Sequence, residues 1–325
     1  MSALSESSSL VRRPSNKDGG VINHDWPTLL LVFAAFITFV VTAAFNGLNG
    51  SGAGLGSVFI NTVGNISDKY YTYVTPAGFT FTIWSVIYLW IAISLVALIV
   101  SLFMHNQKGR LYLNPLFASP LLMVTMSVNF ILNLAWIFIF DREYLIAACV
   151  ILILIAATGI AVVGMMARNV EKYSEEYAKG TDMFIWGILY RFMMNGFAVY
   201  ATWTVIASLL NFTIALVYAG DTDLKATSLA ALSLLVIFHV TWFILENFVF
   251  DKYVRYLLTP YLVVMWASNG IRASLASKSD TPAEITSFVL SILVIASITM
   301  IIRIIIVVVR SLRKPEKKRI SVSAI

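Results

Sequence analysis

The chain is predicted to be an all-α polytopic membrane protein with about eight transmembrane helices. Three observations predict it. The composition is 59% hydrophobic and 12% charged, with a mean hydropathy of +0.84. A soluble domain is nearer half apolar and a quarter charged. The apolar residues gather into runs close to the roughly 20 positions needed to cross a bilayer. The basic residues divide unevenly between the two sides that those runs define.

In chain order, residues 1–26 form a Ser-rich basic tail, expected to be cytoplasmic, with Arg12, Arg13 and Lys17. No cleavable signal peptide is read, because the first apolar run follows this tail without a clear small-residue cleavage site. The first span is 28–45. Residues 46–74 are a Gly/Asn/Ser loop of 29 residues, longer than an ordinary connection and therefore a candidate lid. It carries two glycosylation sequons, Asn49-Gly50-Ser51 and Asn65-Ile66-Ser67.

The second span is 79–103 and the third 115–140, ending at Asp141-Arg142-Glu143-Tyr144. The fourth is 145–166, followed by a polar connector at 168–180. Residues 183–218 are apolar for 36 positions, too long for one crossing. They are read as a shallow lead-in at 183–194 carrying Arg191, then a fifth span at 196–217. The sixth span is 226–245. The seventh is short, 254–271, with Pro260 inside it, and the eighth is 285–309. A basic tail, 312–325, closes the chain.

With the N-terminus inside, sixteen Lys and Arg lie on the inner side. Only Lys69, Arg142, Lys225, Arg272 and Lys278 lie outside, and Arg191 and Arg303 fall within apolar runs. Both termini are therefore expected in the cytoplasm and the 46–74 loop outside. The same sidedness accounts for the net charge of +6 without nucleic acid as a partner. It also argues against a rhodopsin-like receptor, since the Asp-Arg-Glu-Tyr stretch falls outside. The membrane is expected to be the plasma membrane or an endomembrane.

Chemistry-bearing residues are few. One cysteine, Cys149, excludes an intrachain disulfide, and His24, His105 and His239 are scattered. No catalytic set has usable spacing and no metal site is read. Glu246 stands near the inner end of its span, where a hydrated helix terminus accounts for it. Arg303 lies in the final third of its span and can snorkel. His239 and Glu246, seven apart, can share a helix face.

The aromatic and amide residues are more informative. Residues 75–88 place Pro76 and Gly78 just before Phe79, Phe81, Trp84 and Tyr88, and Trp84 and Tyr88 share a helix face. Alone, that stretch reads as an interfacial aromatic belt. Span three adds Asn129, Asn133 and Trp136. Span five adds Tyr200, Trp203, Ser208 and Asn211. Amides facing lipid are costly, so they should point inward, either as interhelical hydrogen bonds or as a polar edge for a ligand.

These stretches resemble the tryptophan-rich sensory protein/translocator protein (TspO/MBR) family. The Pro76, Gly78, Phe79, Phe81, Trp84, Tyr88 series is similar to the family's second-helix opening. Leu132-Asn133 with Trp136 is similar to its third-helix motif, and Trp203 to Asn211 has its fifth-helix spacing. Phe79 stands where the family usually has Trp, and Tyr70, Tyr71 and Tyr73 occupy the loop where its Trp residues normally occur. The resemblance covers about 28–218. It implies a TspO-like five-helix bundle at 27–218, with three additional C-terminal helices at 219–311.

It further implies a pocket for a flat lipophilic ligand, a porphyrin or haem-like tetrapyrrole or a sterol, acting as ligand, with no cofactor certain. Pro76, Gly78, Phe79, Phe81, Trp84, Tyr88, Asn133, Trp136, Tyr200, Trp203 and Asn211 would line it. The expected partners are the bilayer and that ligand, and a homodimer is compatible. The alternative reading is a proton-coupled secondary transporter of a small solute using His239 or Glu246.

Overall fold

The computed structural model describes residues 24–106, 109–114, 116–178 and 180–312; the outer parts of the two tails lie outside these. The chain is an all-α polytopic membrane protein. Its long helices are α1 (Trp26–Gly50), α3 (Ile83–Phe103), α4 (Pro120–Asp141), α5 (Leu145–Lys172), α7 (Gly180–Ala219), α8 (Leu224–Phe248), α10 (Thr259–Ala276) and α11 (Ala283–Leu312). Short helices α2 (Val63–Lys69), α6 (Ser174–Tyr177) and α9 (Asp251–Val254) lie between them, and a 3-10 turn at Gly78–Thr82 leads into α3. The strand structure among the described residues is a two-residue antiparallel pairing of 105–106 with 109–110.

Helix starts follow local chemistry. Asp25 accepts the Thr28 amide before Pro27, Ser119 accepts the Leu122 amide before Pro120, and Asp223 accepts the Ala226 amide at 2.7 Å. Each capping side chain satisfies a backbone donor that the helix itself leaves unpaired. Helix faces then sort by solvent. On α3, Ile83, Ile87, Ile91, Leu95, Leu98 and Leu102 turn inward at helical spacing, while Val86, Leu89, Ile93, Val96 and Val100 remain exposed. In a bilayer that outer face is covered by lipid, and the backbone bonds stay inside each helix.

The first five long helices close into a ring, with neighbours in the order α1, α4, α5, α7, α3 and back to α1. Helices α8 and α10 pack on the outside of α7, and α11 packs on both. Thus α7 is shared by the ring and the outer layer, and its 190–215 stretch is largely buried. It is one continuous helix of 40 residues, so the separate lead-in at 183–194 does not occur. The run holds no Pro, and Gly187 and Gly196 are packed rather than hinged. A Cβ on Gly196 would lie 2.4 Å from the Trp90 ring, whose indole N–H donates to the Phe192 carbonyl at 3.0 Å. A helix of that length extends about 60 Å, twice the hydrocarbon thickness, so one end projects beyond it.

Among the described residues, seven helices are long and apolar enough to cross a membrane. Helix α10, with 18 residues, stands where the short seventh span is expected but is not one of these seven. Its start is later than 254 because Pro260 occupies the first turn, where a missing amide hydrogen costs nothing. Its first residue, Thr259, donates to the Asn195 carbonyl, and further along it the Gly270 carbonyl accepts the Ala77 amide at 3.0 Å. At Gly270 a Cβ would lie 2.0 Å from Thr80 Oγ1, so only glycine lets α10 seat against the turn before α3.

The outer layer holds a charge cluster that corrects two expectations. Arg303 does not snorkel and Glu246 is not a hydrated terminus, for both are fully buried. Arg303 Nη1 donates to Asn247 Oδ1 (2.9 Å) and Asp251 Oδ1 (3.0 Å), and Nη2 to the Val254 and Arg255 carbonyls. Its Nε stands 3.4 Å from Glu246 Oε1, which also accepts from the Tyr261 hydroxyl. His239, on the same α8 face, meets the Tyr261 ring edge-on and bonds Thr299. The guanidinium fork reaches acceptors on α8 and around α9 at once, which a snorkelling side chain would forgo.

Candidate functional site: an aromatic pocket under a pinned lid

The site is built at the α3, α4 and α7 meeting point. Trp84 sits at its centre, stacked with Tyr88 (centroids 5.6 Å apart, 18°) and with Trp136 (6.4 Å, 27°), and edge-on to Trp203 (6.3 Å, 89°). Phe81 meets Trp203 edge-on at 6.3 Å, and Trp136 stacks on Phe140 at 5.3 Å. Offset-stacked and edge-to-face pairs of this kind place ring edges on ring faces, the favoured arrangement of aromatic quadrupoles. These rings face one another inside the bundle.

Pro76, Phe81, Trp84, Trp136, Trp203 and Asn211 border one gap. The rest of its wall is Val63 and Ser67 of α2, Val74, Phe140, the α7 residues Ile206, Ala207 and Leu210, and Ala267 and Ile271 of α10. The unfilled space is only about 20 Å³, room for roughly one water molecule. The aromatic side chains occupy their own pocket. Two polar groups mark it: the Trp136 indole donates to Asn211 Oδ1 at a long 3.4 Å, and the buried Trp203 indole N–H has no partner.

The remaining expected residues stand elsewhere. Asn133 is fully buried and ties four helices together. Its Oδ1 accepts from Asn46 (3.0 Å) and Tyr88 (3.3 Å), and its Nδ2 donates to the Tyr200 hydroxyl (3.0 Å). Asn129 likewise joins α4 to the Ile155 carbonyl and Thr158 of α5. Phe79 is half exposed and packs edge-on against Trp266, outside the gap, and Gly78 has open space around it. We expect Asn133→Ala to lower unfolding free energy by about 2 kcal/mol, since a fully buried amide is lost and three partners, Tyr200 buried among them, lose a bond. Thermal unfolding in detergent checks this, and unchanged stability would contradict the linking role.

The 46–74 stretch is a roof rather than an open loop. Its first residues extend α1 to Gly50, and 63–69 form α2. Asn49 is buried, with Nδ2 on the Asn61 carbonyl and Oδ1 on the Val63 amide, so that sequon is closed to a glycan in the folded chain. Asn65 is exposed. The end of α4 pins the roof. Buried Asp141 accepts the Ile60 (2.9 Å) and Asn61 (2.6 Å) amides, and Asn61 Nδ2 returns a bond to the Asp141 carbonyl. Tyr218 of α7 donates to the Tyr71 carbonyl at 2.7 Å.

Glu143, at positive φ, accepts from Lys69 and Tyr70, each at 2.6 Å. The Lys69 and then the Tyr70 hydrogen bond hold its carboxyl below the usual glutamate value of 4.5. A carboxyl lowered on folding contributes above its unfolded pKa and loses that contribution as pH falls through the folded one. This clasp should therefore persist unchanged from neutral pH to about 5 and release only in more acid solution. Hydrogen exchange of residues 63–70 across that range checks it, and release near neutrality would contradict it.

An all-α membrane bundle with an aromatic site beneath a roofed end defines the class. The TSPO-like protein family matches residues 28–309, and the chain belongs to that family. The match runs through the last three long helices as well as the ring. No curated protein and no solved structure matches the chain.

Proposed function

We propose that this membrane protein binds a flat, largely apolar ligand, of tetrapyrrole or sterol type, in the aromatic site, and acts as a sensor or translocator for it. One observation carries the reading. Trp84, Trp136 and Trp203, from three helices, converge beneath the roof, with the Trp203 N–H left unpartnered there. Stacking faces plus one or two polar edge contacts suit a flat lipophile.

The gap as it stands is far smaller than such a ligand. Binding must therefore displace the roof and turn the rings outward, so that a ligand selects an opened state of the bundle. That coupling gives a signal: occupancy would move α2 and the 70–77 segment, which lie where a partner could read them. The charge asymmetry supports a roof outside and termini inside.

The test is a titration of purified protein with protoporphyrin IX, followed by tryptophan fluorescence, with cholesterol as competitor. Saturable quenching is expected, and cholesterol competition would extend the class to sterols. A linear, unsaturable response would overturn the reading. A proton-coupled transporter finds its support in the His239, Tyr261 and Glu246 contacts across α8 and α10. Solute uptake into proteoliposomes that does not respond to an imposed pH gradient would remove it.

A further inference from the structure

A second hollow lies at the opposite end of the bundle from the roof, between the end of α5, the first half of α7 and the α9 segment. Its volume is about 290 Å³, an order of magnitude more than the gap among the tryptophans. Three cations and one carboxylate border it: Arg191, Lys252, Arg255 and Glu171.

The cations differ in how they are held. Arg255 donates through Nε and Nη2 to Asp251, whose carboxylate also binds Arg303 and Arg310. Burial favours the neutral form of Asp251, but the hydrogen bonds from Arg255, Arg310 and Arg303 outweigh it and hold the carboxyl below 3.8. Lys252 reaches Glu171 at 3.3 Å. Arg191 has no carboxylate among the described residues; its Nη1 donates to the Gly187 carbonyl of its own helix at 3.0 Å. The groups that line the hollow therefore carry a surplus of positive charge, and Arg191 is the cation among them with no carboxylate partner among the described residues.

Its walls are fixed. Asn195, one turn beyond Arg191, donates to the Tyr256 carbonyl at 3.0 Å, and Thr259 donates back to the Asn195 carbonyl at 3.1 Å. These bonds hold the α9 segment at a set distance from α7, so the hollow is a seam between the ring and the outer layer. Exposed Ile188 and Phe192 flank Arg191 on α7, giving apolar surface beside the charges.

We propose that this seam binds an anionic phosphate group, as a phospholipid headgroup monoester or a free phosphate, with Arg191 as the principal contact and Lys252 and Arg255 completing the cradle. An arginine fork matches phosphate oxygens with paired donors, and basic pockets between membrane helices on the cytoplasmic side suit anionic headgroups. Occupancy would join the five-helix ring to the outer layer through one anion.

The experiment is calorimetric titration of the full chain in a neutral detergent. The probes are dioctanoyl phosphatidylinositol 4-phosphate, inorganic phosphate, and dioctanoyl phosphatidylcholine as the zwitterionic control. Saturable binding of the phosphomonoester lipid is expected, weakened about tenfold in Arg191→Gln and reduced by raised salt. Inorganic phosphate binding with similar affinity would assign the site to the phosphate itself; binding of the lipid alone would assign it to the headgroup with its chains. Glu171→Gln provides a test that does not depend on losing a residue's support: removing the one carboxylate should tighten binding severalfold. No saturable binding of either anion, equal binding of phosphatidylcholine, or affinity unchanged in both variants would overturn the proposal.

Discussion

Exchanging Arg303 for methionine is expected to lower the stability of the folded chain by about 3–5 kcal/mol, because it strands the buried Glu246 carboxylate rather than removing a pair. Arg303 is fully buried and donates to Asn247, Asp251 and the carbonyls of Val254 and Arg255. Without it, Glu246 remains fully buried, keeping the Tyr261 hydroxyl, with Oε2 unpartnered among the described residues. Asp251 keeps Arg255 and Arg310 and suffers less. Thermal unfolding in detergent should show a midpoint drop on the order of 10 °C. The double exchange Arg303→Met with Glu246→Leu should recover part of the loss, since it removes the orphaned charge as well. A single exchange as stable as the parent would show that the cluster is not a staple of α8, α9 and α11.

The second large effect is expected at the roof. Asp141→Ala removes the acceptor of two backbone amides, Ile60 and Asn61, from a residue that is 2% exposed. Leaving these part-buried donors without their acceptor costs about 1–3 kcal/mol, here spent on the roof-closed state and not on the bundle as a whole. One tenfold step corresponds to about 1.4 kcal/mol, so the opened population should rise about tenfold or more. Stopped-flow association of protoporphyrin IX should accelerate by a similar factor, with Asp141→Asn intermediate because its amide oxygen still accepts. An association rate equal to the parent's would mean that the roof does not gate the site.

Much of this architecture was legible because helical period carries it. Trp84 and Tyr88, Asn133 and Trp136, and Trp203 and Asn211 lie at spacings that turn both members of each pair toward the bundle interior. What period cannot assign is which inward polar group lines a cavity and which links helices. Asn133, Tyr88 and Tyr200 form the link, whereas Trp136 and Asn211 border the gap. Phe79 follows the same sequence motif, yet lies against Trp266, because the 3-10 turn at Gly78–Thr82 rotates it out of register with α3.

The wall from α10 was hidden. Ala267 and Ile271 are small or aliphatic residues with no chemical signature, and their role rests on the close seat of Gly270 against Thr80. A small-residue stretch, Ala267-Ser268-Asn269-Gly270, was the available signal, since such residues let membrane helices approach closely. The roof's pinning was equally unreadable: Asp141 and Ile60 are 81 residues apart, and no local pattern links them. Position along a span suggests water at the ends for Arg303 and Glu246, whereas the chain around α9 folds back to supply acceptors for Arg303, and Arg303 and Tyr261 meet Glu246.

The proposed function requires that the three converging tryptophans bind a ligand together. The direct measurement is protoporphyrin IX affinity, followed by the porphyrin's own absorbance, in Trp136→Ala, Trp203→Ala and Trp26→Phe. Trp26 is 66% exposed at the start of α1 and serves as the control. Loss of one stacking partner should weaken binding about tenfold in each of the first two variants, with the third equal to the parent. Unchanged affinity in both Trp136→Ala and Trp203→Ala would contradict the site.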